Sequence, residues 1–113
     1  SATLREAERS MKTYPKKRLE AFVEAPVLNR FISLLKAEKV RGYSVLPVLS
    51  GSGADGDWSR EGSVTNAGQM VAVVCILSPE ALEPLLEKMF AMLSRHIGIV
   101  SVSDCEVMRG DRF

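Results

Sequence analysis

The chain has 113 residues, with 15 Lys plus Arg against 14 Asp plus Glu, and 46% of its residues are apolar. One domain is expected at this length, and a formal net charge of +1 excludes the broad basic field that nucleic-acid binding uses to neutralise phosphates. The charge is uneven: residues 1–18 hold six basic side chains against Glu6 and Glu8, a local net of +4. Residues 1–15 are polar and lack a sustained apolar face, so they read as a flexible basic arm, with residues 16–113 as the folded domain. No apolar run approaches the roughly 20 residues of a membrane span, and the start of the chain has no apolar signal core. A cytoplasmic protein is the expectation.

From Lys17 onward the pattern changes. Leu19, Ala21 and Val23 alternate with Arg18, Glu20, Phe22 and Glu24, the period of two of a strand packed on one face. Pro26 opens a helix in which Leu28, Phe31, Ile32 and Leu35 recur at helical spacing; it ends near Lys39, with Gly42 as its stop. Tyr43–Leu49 reads as a second strand, and Pro47 within it demands a sheet edge or a bulge because proline lacks a ladder N–H.

Residues 50–69 carry five glycines, with Trp58 and Val64 as the only large apolar groups. A loop of about 17 to 20 residues far exceeds the usual 4 to 6 and is a first functional hint. Met70–Leu77 is a nearly continuous apolar run, as expected for a central strand covered on both faces or at an assembly interface. Ser78 and Pro79 start a second helix, whose Leu82, Leu85, Leu86, Met89, Phe90 and Leu93 form one stripe ending around His96. A last strand runs from Ile99 to Val107, followed by a short polar tail.

The order strand, helix, strand, long loop, strand, helix, strand predicts an α+β ferredoxin-like βαββαβ fold with an antiparallel sheet. That topology places the second strand at an edge, in agreement with Pro47, and the third in the centre, in agreement with the apolar run.

Chemistry-bearing groups are sparse. Cys75 and Cys105 sit in apolar stretches and there is one histidine, too few ligands for a structural zinc; buried reduced thiols are expected. Asp55, Asp57 and Glu61 fall on the glycine-rich loop, where an acid/base or magnesium cluster would lack rigid support. His96 is placed to cap the second helix through its dipole. Gly51, Ser52 and Gly53 can present backbone N–H groups and a hydroxyl to an anion, although no Walker lysine follows. Arg60, Arg95, Arg109 and Arg112 are the guanidinium candidates for an oxyanion. Trp58 is an apolar anchor in a polar loop. No nucleophile elbow is present, so no enzymatic activity is expected.

The stretch KKRLEAFVEAPVLNRFISLLKAEKVRGYSVLPVLSGSG resembles the opening half of PII signalling proteins, up to the start of their long T-loop. The closing HIGIVSVSDCEVMRGDRF resembles the PII-like branch tied to inorganic-carbon metabolism, which includes the SbtB and carboxysome-associated PII-like proteins. The likeness spans about residues 16–113, with the T-loop at about 51–69. It implies a homotrimer that binds adenine nucleotide in clefts between subunits and switches its T-loop to regulate a partner. By position it implies that Ser44 lies near the adenine, and that Gly51, Ser52 and Gly53 wrap the phosphates. Ile97, Gly98 and Ile99 become the short B-loop segment that meets the nucleotide from the neighbouring chain, and Arg109 a phosphate-binding arginine.

The chain departs from nitrogen-regulatory PII proteins in having no T-loop tyrosine; Tyr14 and Tyr43 are its only ones. Its B-loop is shortened and lacks the lysine, so ADP or AMP is expected ahead of ATP or cyclic AMP. The C-terminal cysteine hairpin of many SbtB proteins is also missing, which points to the carboxysome-associated group. Bicarbonate would then bind at Gly51, Ser52, Gly53 and Arg60, with Trp58 and Arg60 on the switching loop. The regulated partner would be a carboxysome or bicarbonate-transporter component. The alternatives are a CutA-like structural or metal-tolerance trimer and a nitrogen-regulatory PII protein.

Overall fold

Alternation along the first strand builds the core. In this computed structural model, which describes residues 12–53, 56–59, 69–93 and 97–109, β1 (Tyr14–Glu24) turns Leu19, Ala21 and Val23 to one side, where each is fully buried. Val71, Val73, Cys75 and Leu77 of β5 (Met70–Leu77) lie beside them on the same side. Two helices cover this face. The helix α1 (Leu28–Ala37) buries Phe31, Leu34 and Leu35 at the i, i+3, i+4 spacing, and α2 (Pro79–Leu93) buries Leu85 and Met89.

The main sheet is antiparallel, in the order β2 (Tyr43–Pro47), β5, β1, β6 (Ile97–Val107). This is the ferredoxin-like topology. Pro47 does sit on an edge strand, and the apolar run of β5 is central.

Several boundaries differ from the sequence reading. Tyr14 and Pro15, the end of the expected arm, are already paired with Val107 and Glu106. Pro26 enters a 3-10 turn, Ala25–Val27, ahead of the helix proper. The helix stop is Lys39 rather than Gly42. Lys39 adopts φ 62°, its N–H donates to the Lys36 carbonyl at 3.1 Å, and the Val40 N–H donates to the Leu35 carbonyl at 2.9 Å, which together make a Schellman cap. Phe90 of the predicted apolar stripe is 75% exposed: Met89 already fills the contact with the sheet, and the next residue is turned about 100° away from it.

The glycine-rich loop also begins with order. Ser50–Gly53 (β3) pairs with Gly56–Ser59 (β4) as a separate antiparallel ribbon. Glycine is a poor strand former, which hid this ribbon from a propensity argument. The expected pair of buried thiols holds only for Cys75, since Cys105 is half-exposed. Cys75 lies across from Leu19 on the helix-covered face, and Cys105 lies across from Lys16 on the other. A sheet separates the two thiols, so they cannot form an intrachain disulfide.

Candidate functional site

The sheet has a second face, which no helix among the described residues covers. Cross-strand pairing sets Leu46, Ala72, Phe22 and Ile99 in one row across all four strands, with Leu46 47% and Ile99 65% exposed. Val74 and Ile76 extend this apolar surface and are half-buried. The signal was present in the continuous run of β5. Phe22, set among charged neighbours on β1, was the residue an alternation argument would have assigned to solvent.

One end of the sheet gathers most of the candidate residues. The Val48 N–H donates to the Met70 carbonyl at 3.4 Å, so the chain enters the ribbon directly beside the start of β5. At the same end the Ala25 N–H donates to the Gln69 carbonyl at 2.9 Å, and Ile97 pairs with Val23. Met70 bridges these parts: a Cβ placed on Gly98 would lie 3.3 Å from Met70 Cε and 3.6 Å from the Phe22 carbonyl oxygen. Glycine at position 98 thus keeps the backbone bare where the Met70 side chain crosses β1.

Ser44 is exposed on β2 across from Val74, and Gly51 and Ser52 lie in the ribbon that follows. The ribbon register sets Trp58 opposite Gly51, Asp57 opposite Ser52, and Gly56 opposite Gly53. In an antiparallel ladder alternate residue pairs exchange both backbone bonds, so every second residue from Ser50 to Gly53 spends its N–H inside the ribbon. An anion seeking those donors must compete with β4.

Ile97, Gly98 and Ile99 open β6 at the opposite sheet edge from Ser44. Two strands intervene, and three strand spacings of about 4.8 Å make a gap of about 14 Å. Hydrogen bonds to one base require contacts near 3 Å, so a single chain cannot close both groups on one adenine. Arg109 is farther away still. It lies beyond the end of β6, with φ 61°, at the end of the sheet where Val107 pairs with Tyr14. Ten residue steps at about 3.3 Å each put Val107 about 33 Å from Ile97, and Arg109 lies two residues beyond it.

That far end carries an open groove of about 650 Å³ lined by Pro15, Lys16, Lys17, Pro79, Asp104, Cys105 and Glu106. Lys17 is ion-paired to Asp104, and the Thr13 hydroxyl bonds the Glu106 carboxylate at 3.2 Å. Arg60, Asp55, Glu61, Arg95, His96 and Arg112 lie outside the described residues. Among the described residues no group of three or more His, Cys, Asp or Glu side chains could hold a metal ion, and no helix is long and apolar enough to cross a membrane.

A bare-backbone crossing at one sheet end, a glycine ribbon leading from it, and a βαββαβ core define a recognisable frame. The family model for nitrogen regulatory protein P-II matches residues 16–112. The chain belongs to the P-II family. No curated protein matches it. Among solved structures, this P-II chain is similar to CPII, a nitrogen regulatory PII-like protein from Thiomonas intermedia K12. The form of CPII bound to ADP, AMP and bicarbonate is 29% identical with a TM-score of 0.82, over 91% of this chain and 97% of that one. The form bound to ADP and bicarbonate is 30% identical with a TM-score of 0.79, over 91% and 98% of the two chains. A PII-like signalling protein from Thermus thermophilus is 25% identical with a TM-score of 0.75, over 91% and 99%.

Proposed function

We propose that this P-II chain is a non-enzymatic signalling protein that binds ADP or AMP together with bicarbonate between copies of itself. The binding sets the state of its glycine-rich loop, and the loop in turn engages a regulated partner in inorganic-carbon metabolism. The observation that carries this reading is the split of the candidate site. Ser44 with the ribbon, the Ile97–Ile99 segment, and Arg109 occupy three separate places on one chain, so a ligand touching all three needs neighbouring copies. The exposed apolar face supplies the means of association, because an apolar patch of this kind on a small domain marks an interaction surface. A homotrimer supplies each cleft with the ribbon of one copy and the β6 segment of another. The relative bound to ADP, AMP and bicarbonate supports the choice of ligands.

The ribbon provides the switch. Its N–H groups serve either β4 or the bound anion, and a ligand shifts the balance only through its different affinity for the two states. Bicarbonate bound through Gly51, Ser52, Gly53 and the Arg60 guanidinium would favour the opened state, and Trp58, released from its position opposite Gly51, would report it. Without a T-loop tyrosine the loop is read through ligand-dependent shape rather than through tyrosine modification.

Thermal unfolding with AMP, ADP, ATP and cyclic AMP, each with and without bicarbonate, tests the proposal. A ligand at about 100 times its Kd stabilises by about 2.7 kcal/mol, a rise of about 10 °C or more for a domain of this size. ADP or AMP with bicarbonate should produce it. The absence of a rise with every adenine nucleotide refutes the reading.

A further inference from the structure

Among the described residues, the middle of the open face is apolar except for Ser44 on β2, Ser101 and Ser103 on β6, and one charged pair on β1. Arg18 and Glu20 stand two residues apart on β1, hence on the same face, and join through Nη2 and Oε2 at 3.0 Å with side chains 38% and 28% exposed. Since β1 is a central strand, the pair lies inside the face and not on its rim. On one side stand Ile76 and Val74, across from Arg18 and Glu20; on the other stand Ser103 and Ser101.

A guanidinium offers five donors and a carboxylate about four acceptor sites, and the bond between these two uses one of each. Covering the face with a purely apolar partner would strand the remainder, which is costly for half-desolvated charges. A second copy of the same face brings a carboxylate, a guanidinium and three serine hydroxyls of its own. Adjacent opposite charges are self-complementary under rotation, so the Arg18 of one copy can meet the Glu20 of the next. We propose that Arg18 and Glu20 set the register and partner choice of self-association, each Arg18 pairing with the Glu20 of a neighbouring copy. This rests on the association through the open face proposed above.

The test is subunit mixing. A reversed chain, Arg18→Glu with Glu20→Arg, keeps the pair within a copy but sets like charges against each other across a mixed contact. Wild-type and reversed chains of different mass are unfolded together, refolded, and counted by native mass spectrometry. Random mixing of a trimer gives about three quarters mixed species. The expected result is that both chains assemble with themselves, with mixed species about tenfold below that share. Should the reversed chain fail to fold, the Arg18→Gln/Glu20→Gln chain serves; it is expected to mix with wild type but to need about tenfold more protein to assemble. Free mixing of the reversed chain, or an unchanged assembly midpoint for the glutamine chain, overturns the assignment. A wild-type chain that stays monomeric overturns the self-association itself, and is seen before any mixing begins.

Discussion

Leu46→Lys should dissolve the assembly without unfolding the chain. Leu46 stands on the edge strand β2 across from Ala72 and lies outside the core cluster, so the helix-covered face is untouched. With 47% of the residue exposed in the single chain, roughly half of the 1.5–3 kcal/mol available from burying a leucine remains to be gained on association, or about 1 kcal/mol per copy. An ammonium on a four-carbon stem can partly snorkel to the rim, yet its desolvation adds about another 1 kcal/mol per copy. For three copies the loss is about 6 kcal/mol, or about 10⁴ in the association constant. Because a trimer's midpoint concentration follows the square root of that constant, it rises about a hundredfold. Light scattering across a dilution series measures the midpoint, and far-UV circular dichroism checks the fold. If the proposed cleft is shared between two copies, ADP binding should weaken at low protein concentration and return at high concentration. A Leu46→Lys chain with the wild-type mass at every dilution would refute the assignment of this face.

Two further expectations concern the single chain. Lys39→Gly relieves a left-handed conformation that costs a non-glycine residue about 1 kcal/mol, while the cap bonds from positions 39 and 40 stay in place; urea denaturation should show a gain of about that size, and a loss would argue against the cap. Burial raises the Cys75 thiol to about 11 from 9.0. The folded chain therefore favours the neutral thiol, so its stabilising contribution is complete below pH 9 and is lost between pH 9 and 11. The loss is about 2–3 kcal/mol. The difference in stability between wild type and Cys75→Ala, measured across that window, should shrink by this amount; a constant difference refutes the burial argument.

The repeating patterns of β1, α1, β5 and α2 were legible because each is local: apolar residues two apart, or three and four apart, specify a face whatever lies beyond it. Pro47 specified an edge for an equally local reason, the missing N–H. From these the order of elements, and with it the ferredoxin-like sheet, followed from the chain itself, as did the resemblance to PII proteins at both ends of the fold. Only tertiary structure decided which faces are covered. The alternation of β1 names two faces but not which one the helices take, and Phe22 among Arg18, Glu20 and Glu24 reads as solvent-facing until Leu46, Ala72 and Ile99 are set beside it by strand pairing. The ribbon at Ser50–Ser59 escaped notice because its stability comes from backbone pairing between two glycine-rich segments, with little in side-chain pattern to announce it. The separation of Ser44, Ile97–Ile99 and Arg109 is a matter of strand order and length, which residue identities do not contain, and that separation is what turns a set of candidate binding residues into an argument for a site shared between copies.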